Sequence, residues 1–462
     1  MSARDNYTIA IIGGGILGTC VAYFLSYVMQ NSEKKVVLIE QEDDVARHTS
    51  SRNTGKVHAP FLYDPSKKQV FAKAASIGFD MLKDYCDARS LPFKQDGVLE
   101  VATYDKALDI LDLHLKWGYA NGLQKNELKN LGKAQVYSIE PHVKCLAGLY
   151  CSKDASVNYG AITKQLIGDA RRFGCKIVTG NKATKMSIKS GHWLIHTNNA
   201  VEFTAEYIVN TAGGNSVDIA HSIGVAANYT DIHFRGEYWQ APPEYHDLTQ
   251  LSIYSVPKYP DYPFLDPHWI VRVDGRREIG PNAVPVFSPY AYNWGKNLKF
   301  LIPKIFESSK MIRAHRFLIN KEFISLASNE IKSFLSKTAM INRAREFLPE
   351  IEPSMFITRG TIGIRSILID KDGKFVPDTM IIKNDNSLHV LNYNSPGATG
   401  ALPIAAMIAN QLIEDGTVKI THSSSIGMRL RPSKGESEIG TNHNQMWDIR
   451  TVSDRMKIRE FI

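Results

Sequence analysis

The chain has 462 residues, a formal net charge of +8, 44% hydrophobic and 10% aromatic residues. That is globular composition with room for two or three cores. The positive balance favours anionic partners, but no zinc-finger spacing, RNA-binding aromatic signature or long Lys/Arg block occurs, so nucleic acid is not an expected partner. Five scattered cysteines, Cys20, Cys86, Cys145, Cys151 and Cys175, form no C-x-x-C pair. They exclude a disulfide framework, favour a reducing compartment and suggest no metal site. The opening "MSARDNYTIAIIGGG" has no leader pattern, and no apolar run reaches membrane-span length. The expected location is therefore cytoplasmic, with at most peripheral contact at the inner face of a membrane.

In chain order, "YTIAIIGGG" is a β-branched run ending in glycines, "ILGTCVAYFLSYVMQ" has helical apolar spacing, and "KKVVLIEQ" is a second buried strand. Together they form a βαβ unit. Lys67 to Ala120 reads as mainly helical around a strand at "GVLEVAT". "NYGAITKQLIGDARRFG" is a helix, followed by strands at "CKIVTG", "KATKMSI", "HWLIHT" and "AEYIVN". From about Asn228 to Phe287 the chain is strand-rich with aromatics and prolines, which suits a mixed sheet. Helix is expected from Trp294 to Lys337. Strands, a glycine loop and a last helix then follow up to about Glu414, and a polar, Gly/Ser-rich tail closes the chain.

Gly13, Gly15 and Gly18 make G-x-G-x-x-G between the first strand and its helix, which opens at Ile16 and Leu17. Such glycines allow a tight turn and let a helix N-terminus approach a pyrophosphate. Glu40 ends the second strand, where an acid accepts hydrogen bonds from ribose hydroxyls and disfavours a 2′-phosphate. FAD or NAD is thus preferred to NADP. The chain then leaves the sheet through the polar run Thr49, Ser50, Ser51, Asn53, Thr54 and Gly55, instead of adding further βα units. It returns with Ala212 and Gly213 after a buried strand, and with Gly397, Ala398, Thr399 and Gly400 at the start of the last helix. Three approaches of backbone in this order favour a flavin dinucleotide, with the last helix dipole facing the flavin ring.

At this point the sequence resembles the FAD-dependent D-amino-acid-oxidase-like superfamily. Within it, the chain looks most like L-2-hydroxyglutarate dehydrogenases and oxidases. The resemblance rests on "TSSRNTGKVHAPFLYDP", "IEPHV", "FRGEYW", "PFLDPHWIVRVDG", "GPNAV", "RGTIGIRSILIDKDG" and "NSPGATGAL", in that order. "VNYGAITKQL" and "SPGAT" also resemble malate:quinone oxidoreductases. The fold so implied is α/β, a Rossmann-like FAD-binding domain interleaved with a mixed-sheet substrate domain. The first takes residues 5–80, 140–225 and 355–420, the second 81–139 and 226–354, and 421–462 form a flexible extension.

The implied reaction is oxidation of an L-2-hydroxy dicarboxylic acid, most simply L-2-hydroxyglutarate, with electrons passing to a quinone, another acceptor or oxygen. Malate oxidation, or oxidation of an amino acid or glycerol 3-phosphate, is the enzymatic alternative; a non-catalytic flavin-fold binding protein is the other. Such chemistry needs a neutral histidine as base, since its unperturbed pKa lies near working pH. His268 and His58 are the candidates, with His268 slightly preferred. Planar guanidinium donors suit carboxylates, and Arg365 in "GIRS", Arg272 and Arg235 lie inside the matching motifs. Tyr238 is a candidate hydroxyl donor. Some superfamily members join flavin covalently through a histidine near the position of His48; non-covalent FAD is expected here. The basic amphipathic segment Trp294–Lys321 is a candidate for contact with anionic lipid.

Overall fold

A computed structural model describes residues 6–30, 32–33, 35–258, 266–286, 288–292, 336–419, 427–429 and 446–457. The β-branched run Asn6–Ile12 is a strand whose Ile9, Ala10 and Ile11 are fully buried. It is the centre of a parallel set, with Val36–Ile39 on one side and Glu202–Asn210 on the other. Lys176–Val178 extends the set beyond Val36–Ile39, and Ser387–Leu391 extends it beyond Glu202–Asn210. A hairpin of Ala183–Lys189 and His192–Thr197 pairs with the other half of Glu202–Asn210, and Met380–Asn384 closes the far edge. Parallel strands covered on both faces read as continuous apolar runs, which is how these segments read.

The helix Ile16–Met29 is apolar around nearly its whole circumference because it is enclosed. It packs against the helices Tyr159–Arg172 and Ala401–Glu414. The second sheet is mixed and is dominated by two long antiparallel strands, Tyr229–Gln240 and Thr358–Asp370. Its strand Val98–Ala102 alternates between two cores. Leu99 and Val101 meet Ile253, Trp269 and Phe347 on one face, while Val98 and Ala102 meet Phe61, Leu111 and Tyr254 on the other. That is the period-2 burial expected of a strand enclosed on both sides.

Three sequence expectations shift. Strands Ala147–Cys151 and Thr358–Asp370 belong to the second sheet, so both of its segments end later than the expected boundaries at 139 and 354. Their pairing partners are remote in sequence, which local pattern cannot reveal. The tail is not uniformly free: Gly427–Arg429 pairs with Met446–Asp448, and the helix Ile449–Met456 buries Ile449, Val452 and Met456 against the dinucleotide-domain core. Trp447 packs on Phe24 and Tyr85, with its indole N–H 3.3 Å from Asp84 Oδ2. The basic segment Trp294–Lys321 lies outside the described residues.

Candidate active site

The glycine turn is held by contacts that no side chain could share. Gly13 has φ +109°, and a Cβ there would lie 2.6 Å from the Thr211 carbonyl oxygen. A Cβ on Gly18 would lie 2.0 Å from the Gly13 carbonyl oxygen, so this glycine seats the helix on the strand. Gly15 is the N-cap and has no side chain to offer the first turn, which carries no acid. That turn is left open to an anion, apart from the Ile16 N–H, which donates to Ser50 Oγ at 2.9 Å. Glu40 Oε2 accepts from the Gly14 N–H at 2.5 Å and Oε1 from the Glu42 N–H at 2.9 Å. Burial pushes its pKa up while those N–H groups hold it down. Its carboxylate faces a cleft also lined by Gly13, Gly15, His48, Ala212, Gly213 and Tyr290.

A second, contiguous cleft begins at Gly15, Ile16 and Leu17. It runs past Thr49, Ser50, Asn53 and Thr54 to His58, and is closed by Ala398 and Thr399. The remaining candidates shape these walls from behind. Ser51 Oγ donates to the Ala46 carbonyl, and Gly55, at φ +74°, lies against the Val157 carbonyl. Gly397 folds back on Asn394 and Gly400 packs on Ala74. The polar side chains of the run also hold its own backbone: Thr49 Oγ1 donates to the Ile364 carbonyl, and Asn53 Nδ2 reaches the Thr49 and Ser50 carbonyls. A dinucleotide fits this arrangement of crowded glycine turn, buried acceptor at Glu40 and extended double cleft. Glu40 would hold the ribose, the first turn of Ile16–Met29 the pyrophosphate, and the loop at Ala398–Thr399 the flavin end.

The far end of the second cleft gathers His58, His268, Tyr238 and Arg365. His268 is buried, and its Nδ1 lies 3.0 Å from the Asp266 carbonyl. Since a carbonyl can only accept, Nδ1 carries the proton and Nε2 keeps its lone pair. Tyr254 stands edge-on to this ring at 4.7 Å and Tyr238 at 6.2 Å. Burial pushes the His268 pKa down to about 4 and that of His58 down to about 3, aided for His58 by Lys56, His268 and Arg365. Both rings are therefore neutral at neutral pH. The His58 backbone N–H donates to Thr399 Oγ1 at 3.1 Å, and Tyr159 Oη lies 3.0 Å from the same oxygen and 3.1 Å from the Lys56 carbonyl. This buried chain fixes the histidine loop to the last glycine loop. Arg365, in Thr358–Asp370 opposite Phe234, is held below its ordinary pKa by desolvation.

Two arginines do not join them. Arg272 Nε and Nη2 both bind Glu278 Oε2, the first at 2.9 Å, while Nη1 donates to the Asn53 carbonyl and Nη2 also to Thr361 Oγ1. Its fork is spent on a buried ion pair that braces the flavin-side loop, so it is not a carboxylate receptor. Arg235 pairs with Glu237 at 2.6 Å and donates to the Ala291 carbonyl at 2.9 Å, which likewise makes it a wall residue. His48 lies in the first cleft, 2.9 Å from Glu42 and stacked on Tyr292. Lys56, Asp154 and Tyr159, buried around the base of His58, were missed. A lysine inside the otherwise apolar strand "KVHAP" was the available signal.

The comparisons with known proteins agree with this geometry. The chain matches the family model described as FAD dependent oxidoreductase over residues 8–411. It is 30% identical over 423 residues to the mitochondrial L-2-hydroxyglutarate dehydrogenase of Caenorhabditis elegans, covering 88% of this chain and 93% of that protein. Against the protein of the same name from Nematostella vectensis it is 29% identical over 437 residues, covering 90% and 93%. Among solved structures, the dithionite-reduced L-alpha-glycerophosphate oxidase of Mycoplasma pneumoniae with FAD bound superposes with a TM-score of 0.71 at 22% identity, covering 91% of this chain and 97% of that one. The match over residues 8–411, with the crowded glycine turn and the buried acid Glu40, places this chain in the FAD-dependent oxidoreductase family.

Proposed function

We propose that the protein oxidises an L-2-hydroxy dicarboxylic acid, L-2-hydroxyglutarate above all, to the 2-oxo acid. The observation that carries this reading is the convergence of one half-buried guanidinium, Arg365, and two neutral imidazoles, His58 and His268, at the flavin end of the cleft; the names of the relatives at 29–30% identity support the substrate. When bound, FAD supplies the two-electron acceptor for the hydrogen on C2. Arg365 binds and orients the C1 carboxylate with its planar fork. A neutral imidazole takes the hydroxyl proton as C2 becomes a carbonyl carbon. Tyr238, whose ring bounds the pocket, excludes water and offers its hydroxyl as a donor. Desolvation strengthens each of these contacts.

Non-covalent FAD is part of this proposal: His48 stands beside Glu42 in the cleft that also holds Glu40, at the ribose end of the dinucleotide path. Five free, buried cysteines support a reducing compartment. No helix among the described residues is long and apolar enough to cross a membrane. A quinone or oxygen remains the proposed final acceptor, and the basic segment from 294 to 321 supports peripheral contact with anionic lipid. The deciding experiment adds candidate reductants anaerobically to the yellow holoprotein and follows the flavin band. L-2-Hydroxyglutarate should bleach it faster than L-malate, D-2-hydroxyglutarate or glycerol 3-phosphate. Bleaching by an amino acid alone, or by none of these acids, would reject the substrate class.

A further inference from the structure

Behind His58 lies a closed set of charges that the reaction as described does not use; of its members only Lys56 touches the cleft lining. Lys56 Nζ is 2.8 Å from Asp96 Oδ1, 3.0 Å from Asp154 Oδ1 and 3.1 Å from Ser156 Oγ. The three ionic side chains are 0%, 3% and 1% exposed, so water does not screen them. Ser156 Oγ is also 2.7 Å from Asp96 Oδ2, and Asp154 Oδ2 accepts the Ala59 N–H at 3.3 Å. One ammonium faces two carboxylates, so the buried set carries one negative charge in excess. A charge of that kind is costly unless a proton or cation balances it. The imidazole within ionic reach is that of His58, whose Nδ1 is 4.0 Å from Asp154 Oδ2.

We propose that Asp154 is a positioning residue and proton acceptor behind His58, so that the substrate hydroxyl proton passes to His58 and is held on Asp154. This rests on the reading of the cleft given above. As the hydroxyl proton goes to His58 Nε2, the Nδ1 proton goes to Asp154 Oδ2, across a 4.0 Å gap that one bridging water or a small turn of the ring brings within hydrogen-bond reach. The C2–H bond breaks with its electron pair passing to bound FAD, and the C2–O double bond forms. His58 ends neutral and Asp154 protonated, and the proton returns through His58 to solvent after product leaves. His268 has no such outlet, because its Nδ1 proton is tied to a backbone carbonyl.

The charges around Asp154 agree. Besides Lys56 and Asp96, it is faced by Tyr63, Tyr159, Tyr254 and Cys151, all pushed by burial above their ordinary pKa and hence neutral; Arg365 and His268 face His58 from the cleft side. Burial pushes Asp154 up to about 6, with Asp96 raising and Lys56 lowering it. The carboxylate is thus the better home for the proton, and it is empty at neutral pH. Tyr254, with its ring 6.4 Å from His58 and 4.7 Å from His268, holds both imidazoles in place.

The test is the pH dependence of kcat in the holoprotein, using whichever 2-hydroxy acid bleaches the flavin, so that a wrong substrate assignment does not count against the relay. Wild type should lose kcat as pH falls through about 6, where Asp154 arrives already protonated. Asp154→Asn should lower kcat about 100-fold with KM within about twofold and abolish that limb, and Asp154→Glu should restore part of it. Lys56→Met should move the limb to higher pH, since the cation that favours the carboxylate is gone. A readout independent of turnover is the ring carbon resonance of His58, assigned by loss in His58→Gln: its response to pH near 6 should vanish in Asp154→Asn. A wild-type profile without a limb near 6, a limb unmoved in Lys56→Met, or an Asp154→Asn protein that keeps its flavin and turns over normally would each overturn the relay. If Asp154→Asn fails to fold, the wild-type and Lys56→Met profiles decide alone.

Discussion

Arg272 separates a wall residue from a substrate residue, and its replacement tests which it is. In Arg272→Met, Glu278 keeps only Thr361 N–H and Oγ1, each 3.2 Å from Oε1, and Arg276 at 3.9 Å. Its carboxylate is 0% exposed and Arg272 itself 9%. Stranding a buried charge in this way costs about 3–5 kcal/mol, and the Asn53 carbonyl loses its donor for about 1 kcal/mol more. The expected loss is thus about 5 kcal/mol in urea unfolding of the holoprotein followed by tryptophan fluorescence. Adding Glu278→Gln removes the stranded charge but keeps an acceptor for Thr361, so the double variant should regain about half of that loss. Its kcat/KM for the hydroxy acid should then approach wild type. A double variant that recovers stability yet stays more than about 100-fold impaired would show that Arg272 binds substrate after all, since about 3 kcal/mol is what a lost charged hydrogen bond is worth.

Arg365→Lys keeps the charge but not the planar fork, and should cost about 2 kcal/mol in kcat/KM, roughly 30-fold, with little change in the unfolding midpoint; an unchanged kcat/KM would remove Arg365 from the carboxylate site. Acid lability follows from His268, whose folded pKa of about 4 lies below the ordinary histidine value. The unfolded chain takes its proton first as pH falls, so the contribution is present above about 6.5 and is lost progressively toward pH 4. His268→Gln should flatten the urea midpoint over that window, and an equally steep midpoint would assign the lability elsewhere. Trp447→Ala should cost about 3 kcal/mol of stability while leaving KM for the hydroxy acid unchanged; a loss under about 1 kcal/mol would mean that the tail does not brace the dinucleotide domain.

The parts of the fold that were legible are those written locally. A strand, a glycine turn, a helix and a terminal acid within 35 residues from Asn6 to Glu40 are dictated by backbone space and apolar period alone. Arg365, His58 and His268 were reachable through motif resemblance. Arg235 and Glu237 are two apart on one strand and so share a face, and Arg272 and Glu278 flank the tight turn at Asp274–Gly275, where Ile270 pairs with Glu278. Both ion pairs could have been read from a strand assignment; the presence of an arginine in a matching motif outweighed its acidic neighbour. The set of Lys56, Asp96 and Asp154 could not be read so, because strand pairing brings it together from positions 40 to 98 residues apart in the chain. The expected freedom of the tail failed for a related reason. Trp447, Ile449, Val452 and Met456 have a helical spacing, but the polar run before them dominates the composition.

The docked C-terminal helix also constrains how the protein is made. The central strand Asn6–Ile12 is made before the other strands of its sheet, yet that sheet waits for Ser387–Leu391, and the helix packed on it waits for Ala401–Glu414, on which Ile449–Met456 then docks. The flavin-side domain therefore cannot close until the chain has been made as far as Met456, and its contacts join segments more than 400 residues apart. High contact order of this kind slows folding and leaves apolar strand edges exposed to other chains. Recombinant production should accordingly favour slow expression at low temperature with ample flavin, and an affinity tag placed at the N-terminus leaves the late-docking helix unencumbered.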